Sequence, residues 1–289
     1  MSLRYGLKLV FATWRGMRIF LSSFLAAFGL ISAVVQFVGQ LFPSLISRPG
    51  LVTLSAFVLC VGGGLARAYP SGRIRREFKQ PEIAVTVVVG DLFQQDGHIV
   101  VGFTDTFDTS TTGNRVISRH SVQGQLAERR YGGDRRRLDR EISAALSRHT
   151  PHEIESRGRK AHGKLRRFRI GTVAVIGKPP RLVFAVAYSR MGNDFVARSS
   201  VDDIWMSLGT LWDAIYSHAQ HGRVAIPLIG SGLARVDMLE RQNLLRMILL
   251  SFLARSRQGV VCRELRIVIW PADLELIDML EVEAFLRTL

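Results

Sequence analysis

The sequence predicts an α/β protein: a three-layer α/β/α sandwich on a mixed sheet, preceded by a two-helix transmembrane hairpin. Three observations lead there. Two long apolar runs, 19–41 and 50–68, stand near the N-terminus. Six short Val/Ile-rich runs follow them, at Ile83–Val89, His98–Phe103, Gly171–Ile176, Leu182–Tyr188, Arg223–Ile229 and Leu265–Trp270. Helical patterns separate these runs. Continuous apolar runs, rather than strict alternation, suit central strands covered on both faces, and strands interleaved with helices give a layered α/β domain.

The first apolar run carries no charged residue; the second carries only Arg67, next to its last residue. At about 1.5 Å per residue they reach roughly 35 Å and 28 Å, against a hydrocarbon core of about 30 Å. Pro43 and Pro49 in the connector stop helices and suit a tight re-entry turn. Arg4, Lys8, Arg15 and Arg18 precede the first span, and Arg67, Arg73, Arg75, Arg76 and Lys79 close or follow the second, while the connector holds only Arg48. Basic residues stay on the cytoplasmic side, so both termini and the following domain are expected in the cytoplasm, at the inner membrane. The expected organisation is an N-terminal segment 1–18, a hairpin 19–69, a linker 70–80 and a ligand-binding domain 81–289. Gly29 with Ala33, and Gly62 with Ala66, are small pairs four apart. Such pairs permit close helix approach and association within the membrane, and small residues are equally common in spans for no such reason.

A formal net charge of +15 first suggests nucleic acid. Its distribution does not: 129–169 holds fourteen Lys or Arg against five acidic residues, with only Tyr131 and Phe168 as aromatics. Stacking platforms for single strands are missing, and a basic segment beside an anionic leaflet accounts for the charge at about 1 kcal/mol per residue. Cys60 and Cys262 make neither a disulfide framework nor a thiolate metal cluster. His218 and His221 read as helix-end histidines, not metal ligands.

Four helices are expected: Leu138–Leu146, Val201–His218 with Ser200 as its N-cap, Asp237–Arg255, and Leu274–Leu286. Ligands of open α/β sheets bind beyond the carboxyl ends of strands, and three segments lie there. In Gly90-Asp91-Leu92-Phe93 the carboxylate of Asp91 either accepts from an exocyclic amine or caps the next turn. In Thr104-Asp105-Thr106-Phe107-Asp108-Thr109, hydroxyls, carboxylates and one aromatic are suited to a ribose or a ring, or form a polar loop. In Pro227–Leu233, Gly230, Ser231 and Gly232 stand between a strand and a helix start, where backbone N–H groups can approach an anion. That segment lacks the lysine of a Walker loop and the spacing of a dinucleotide fingerprint.

Taken in order, Val89–Phe93, Phe107–Thr109, Ser121–Gln125, Ile170–Ala174 and Ile226–Gly232 resemble macro domains, the ADP-ribose-binding α/β fold. More narrowly they resemble the macro domain of Thoeris anti-phage effectors, in a two-span membrane form. The resemblance covers nearly the whole chain. It implies that Asp91, with Leu92 beside it, reads adenine. It also implies that Gly230, Ser231 and Gly232, followed by Leu233, hold the diphosphate, and that Thr104, Asp105, Phe107, Asp108 and Thr109 face the distal ribose. No cofactor is expected beyond an ADP-ribose-derived ligand, with a TIR-domain enzyme as its source, the bilayer as target and a homo-oligomer as the active form. Hydrolytic macro domains carry an asparagine-bearing loop where this chain reads Thr104-Asp105-Thr106-Phe107. That departure favours a sensor, with a membrane-tethered ADP-ribosyl hydrolase as the alternative and a polyanion binder using 129–169 as a third reading.

Overall fold

The computed structural model describes residues 7, 10–11, 14–41, 49–69, 72–230 and 240–289. They fall into two compact units, Met1–Gly72 with Asp278–Leu289, and Arg73–Ile277.

In the first unit, helices α1 (Trp14–Leu41) and α2 (Pro49–Ala68) pack side by side. Both are long and apolar enough to cross a membrane, over Gly16–Leu41 and Gly50–Ala68. Their large side chains point outward: Leu25, Leu30, Val34 and Phe37 on α1, and Leu54, Val58 and Leu59 on α2, are all exposed. The hydroxyls of Ser22 and Ser55 donate to Ile19 O and Val52 O within their own helices, which satisfies them without water. The seam is aromatic, with Phe24 edge-on to Phe57 at 5.8 Å and Phe20 against Gly64, where a Cβ would stand 3.1 Å from the Phe20 ring. A Cβ on Gly29 or Gly62 would meet nothing within 4 Å, so these small pairs face away from the hairpin's own seam.

The terminal helix α7 (Met279–Thr288) also belongs to this unit and packs against α1. The sequence placed it in the ligand-binding domain, as the end of one helix from Leu274. Instead, Pro271–Leu276 is a short 3-10 turn, Ile277 is extended, and Asp278 caps a fresh helix by accepting from Leu280 N and Glu281 N.

The second unit is built on a mixed sheet. Its strands are β1 (Arg73–Lys79), β2 (Glu82–Val89), β3 (His98–Thr104), β6 (Val173–Ile176), β7 (Val183–Met191), β9 (Arg223–Pro227) and β10 (Glu264–Ile269), with β8 (Ala197–Arg198) beside β7. A separate two-stranded ribbon joins β4 (Glu153–Ile154) to β5 (Arg166–Arg167). The order across the sheet is β1-β2-β10-β9-β3-β7-β6. The five inner strands β2, β10, β9, β3 and β7 run parallel, and β1 and β6 are antiparallel edges.

All six expected strands are present. The expected linker is not a linker: residues 73–79 form β1, paired from Arg73↔Val88 to Lys79↔Glu82. Only Ile74 is deeply buried there. An edge strand of alternating basic residues resists pairing with other chains and carries no apolar signature.

One face of the sheet takes α3 (Val122–Tyr131) and α4 (Arg135–Leu146), closing a core of Ile99, Val101, Phe103, Leu126, Leu138 and Ile142. On the other, α5 (Val201–His218) packs on β7 and on α6 (Arg241–Ser256). There Trp212 meets Phe252 edge-on at 5.4 Å and donates to Ser251 Oγ at 3.0 Å. Ser200 caps α5 in a full capping box with Asp203. Helix α6 begins at Arg241; the residues before Glu240 on which it was expected to start lie outside the described ones.

His98 ties three elements together: Nδ1 accepts from Leu182 N at 3.1 Å, and Nε2 faces Ala219 O at 3.2 Å. Burial lowers its pKa from the ordinary 6.5, against the Ala219 carbonyl bond that raises it. The unfolded chain therefore binds more protons than the folded one just below that value, and stability falls as pH drops through it. We expect the midpoint of urea unfolding of residues 73–277 to decline from pH 7 to pH 5.5, and His98→Gln to flatten the part of the decline that is due to this histidine.

Candidate ligand-binding site

The parallel strands end at Val89, Ile269, Pro227, Thr104 and Met191, and the segments that follow them stand at the edge of the sheet where a ligand crevice is expected. Gly90 N donates to Ile269 O at 2.9 Å, which brings the end of β2 to the end of β10. Asp91 comes next. Its Oδ1 accepts from Phe93 N at 2.8 Å and caps the short turn Leu92–Gln94. Its Oδ2 pairs with Arg129 of α3, whose guanidinium lies 5.7 Å from the centre of the Phe93 ring. The Asp91 side chain keeps 20 % of its surface exposed. The cap reading of Asp91 is borne out, and its outer oxygen is paired with Arg129 on a partly exposed side chain. Leu92 is different. Its side chain is in the core, so it can meet a ligand only through its backbone.

The loop after β3 is where structure and sequence part. Phe107 has a left-handed backbone (φ 49) and turns its ring fully inward, stacked on Phe103 at 5.6 Å and edge-on to Phe168 at 5.7 Å. It is a core residue, and the expectation that it stacks on a ligand is corrected. Asp105 and Asp108 are also turned inward. Asp105 accepts from Met191 N through Oδ1 and from Arg167 Nη1 through Oδ2, both at 2.8 Å. Asp108 accepts from Lys164 N and the Thr106 hydroxyl, each at 2.6 Å, and from Lys160 Nζ at 3.3 Å. Thr104 and Thr106 hydroxyls stand 3.2 Å apart, and Thr109 donates to Asp139 of α4 at 2.7 Å. What the loop leaves for a ligand is mainly its backbone.

The cations that hold this loop come from the basic stretch. Lys160, fully buried, also donates to Lys164 O at 2.7 Å, and burial lowers its pKa although Asp108 opposes the shift. Arg167 bridges Asp105 to Glu155 Oε1 (2.9 Å), Met191 O (2.8 Å) and Asn193 Oδ1 (3.0 Å). Burial works against the Arg167 charge, and its bonds to Asp105 and Glu155 outweigh that and raise its pKa. Lys164 Nζ reaches both Asp139 and Phe107 O. Part of 129–169 is thus a clamp on the site loop. The sequence reading missed it, because nothing in a basic run tells a buried lysine from a solvated one. A lone weak signal was available: Glu153 and Glu155 interrupt the run just before its last cluster of cations.

Helix α3 starts behind its cap Ser121, which accepts from Gly124 N at 3.0 Å. Gln123 donates to Asp108 O at 2.6 Å and links the helix to the loop. A Cβ on Gly124 would lie 2.1 Å from Ser118 O, a backbone atom that cannot swing away. Gly124→Ala is expected to cost about 1–3 kcal/mol by overpacking, read as a lower urea midpoint at unchanged slope.

After β9, Gly230 is buried with φ 89, a conformation that suits glycine alone. Ser231, Gly232 and Leu233, the rest of the expected diphosphate loop, lie outside the described residues.

Comparison with known proteins agrees with this architecture. Residues 85–270 match the family model described as "Thoeris protein ThsA, Macro domain". A relative, the Thoeris protein ThsA of Bacillus amyloliquefaciens (strain Y2), is 27% identical over 156 residues, 52% of this chain. The match spans 50% of that relative's length. Among solved structures, the Oceanobacillus iheyensis macrodomain with ADP superposes with a TM-score of 0.51 at 10% identity, covering 76% of this chain and all of that one. A point mutant of the same macrodomain gives 0.50 at 9% identity with the same coverage. At such identity the likeness establishes the fold.

Proposed function

The chain belongs to the Thoeris ThsA macro-domain family, and from that premise we propose that it is a membrane-anchored sensor of an ADP-ribose-derived signal. In this reading a TIR-domain enzyme makes the signal during phage infection, as a histidine-linked ADP-ribose. The crevice binds it, the cytoplasmic units assemble into a homo-oligomer, and the clustered hairpins disrupt the inner membrane. Asp91 accepts from the adenine amine, the Gly230–Gly232 loop holds the diphosphate, and the backbone of Thr104–Thr109 lines the distal ribose. The ligand must bind the assembled form more tightly than the resting one, since equal affinity shifts nothing.

The observation that carries the choice of sensor over hydrolase is the state of the loop after β3. Its stretch Thr104–Thr109 has no asparagine, and both carboxylates there are buried and committed to Arg167, Lys160 and backbone N–H groups. A general base must reach the proton it abstracts, and neither Asp105 nor Asp108 is placed to do so. The test pairs two measurements on the purified full chain: a thermal-shift panel of ADP-ribose, cyclic ADP-ribose isomers and amino-acid conjugates, and turnover of an ADP-ribosylated substrate. A shift with one conjugate and no turnover is expected, because a ligand that binds only the native state raises apparent stability. Multiple turnover would establish the hydrolase instead.

Asp91→Ala is expected to weaken binding about ten- to a hundredfold, from losing a charge-assisted hydrogen bond of about 1.5–3 kcal/mol. Arg129→Gln should change affinity only a few-fold, since an ion pair this exposed contributes about 0–1 kcal/mol. Calorimetric affinity that is unchanged in Asp91→Ala would remove this carboxylate from the site.

A further inference from the structure

Within the first unit, α7 and the start of α1 enclose a recess of about 360 Å³. Trp14, Arg18 and Ile19 line it from α1, and Leu280, Glu283 and Arg287 from α7. Its walls are of two kinds. Ile19 and Leu280 are apolar, and Ala284 is small, while Arg18, Arg287 and Glu283 supply the charged part of the lining. Arg287 is exposed and shares its charge with Glu283 at 2.5 Å. Arg18 is exposed and has no carboxylate partner among the described residues. Trp14 has 83% of its surface exposed, two residues before the apolar stretch that begins at Gly16.

We propose that this recess binds the headgroup of an anionic phospholipid from the cytoplasmic leaflet. Arg18 and Arg287 face the phosphate, Trp14 lies at headgroup depth, and Ile19, Leu280 and Ala284 cover the glycerol and first acyl carbons. The inference rests on α1 being a membrane span. Given that, position and chemistry agree. Tryptophan is enriched at the membrane–water interface, and basic pockets at the cytoplasmic end of spans bind acidic headgroups. An unpaired arginine beside an apolar wall suits a molecule with both a phosphate and a hydrocarbon part. A free phosphate has no use for the wall, and a neutral lipid has none for Arg18. With lipid in place, α7 is fixed at the interface, so the chain's C-terminal helix reports on the leaflet.

The experiment uses the full chain in mild detergent, with bound lipid counted by native mass spectrometry. Equal amounts of phosphatidylglycerol and phosphatidylcholine are offered. Wild type should retain phosphatidylglycerol in preference, and Arg18→Gln should lower that retention about fivefold, the equivalent of about 1 kcal/mol for one basic residue. Arg18→Lys should keep most of it, and Arg136→Gln, an exposed arginine of the other unit, should match wild type. Excess inorganic phosphate should not displace the lipid. Equal retention in wild type and Arg18→Gln, equal loss in Arg18→Lys and Arg18→Gln, or displacement by inorganic phosphate would each overturn the proposal. Carbonate extraction of wild type from membranes, measured in parallel, is the separate outcome that would fail the span itself.

Discussion

Asp105→Ala is expected to be the most damaging single substitution in the second unit, lowering its stability by about 3–5 kcal/mol. The magnitude follows from what the substitution leaves behind. Arg167 is nearly enclosed, and it keeps its charge because Asp105 and Glu155 both face it. Without Asp105 the guanidinium loses a carboxylate at 2.8 Å, and Met191 N loses its acceptor. Two buried donors are then short of partners at once, and leaving a buried charge uncompensated is among the costliest single changes. The Asp105 side chain also ties the loop after β3 to the end of β7 through Met191 N, so the loop should loosen and ligand affinity should fall with the fold. Urea titration of residues 73–277, followed by tryptophan fluorescence, measures the first effect. Removing the charges together is the informative control: Asp105→Leu with Glu155→Leu and Arg167→Met should be less damaging than Asp105→Ala alone. If Asp105→Ala unfolds at the wild-type midpoint, the network is not what holds this loop.

The same network marks how far the sequence could be read. Strands covered on both faces announce themselves as Val/Ile runs, and β2, β3, β7, β9 and β10 were legible for that reason. Strand β1 was not, because an edge facing solvent is free to be Arg73-Ile74-Arg75-Arg76, which reads as a charged linker. The break at Ile277–Asp278 was hidden by apolar residues on both sides of it, although Pro271 and Asp278 are the residues that end one element and cap the next. At the site, Asp91 could be picked out because a Gly-Asp step directly after a buried strand has few positions to occupy. The direction of Phe107 could not, since it depends on a backbone φ of 49 that no neighbour in the sequence demands. Nor could the burial of Lys160. Its enclosure depends on Asp108, fifty-two positions away, and composition reports charge, not partners.

Binding and membrane damage should fail separately. Gly230→Val in the full chain is expected to abolish ligand binding and leave membrane association intact. Gly230 sits at φ 89, where a β-branched residue is strained by about 1–3 kcal/mol, and its backbone leads directly into the expected diphosphate loop. The loop must either shift or crowd the anion. The complementary variant is residues 73–277 alone, which keeps every described residue of the crevice and loses both spans. Helix α7 has to be removed with them, because it belongs to the hairpin's unit and its Leu280, Val282 and Leu286 would otherwise be left uncovered. This truncated chain should bind ligand within about twofold of wild type, a difference of about 0.4 kcal/mol, and should be harmless when induced beside the signal-producing enzyme. Gly230→Val should be equally harmless for the opposite reason, staying in the membrane and unable to respond. Calorimetry on both proteins and a membrane-potential dye in cells read the two halves independently. Cell death caused by residues 73–277, or consumption of an ADP-ribosylated substrate by them, would place the output in the crevice itself and replace the sensor with an enzyme.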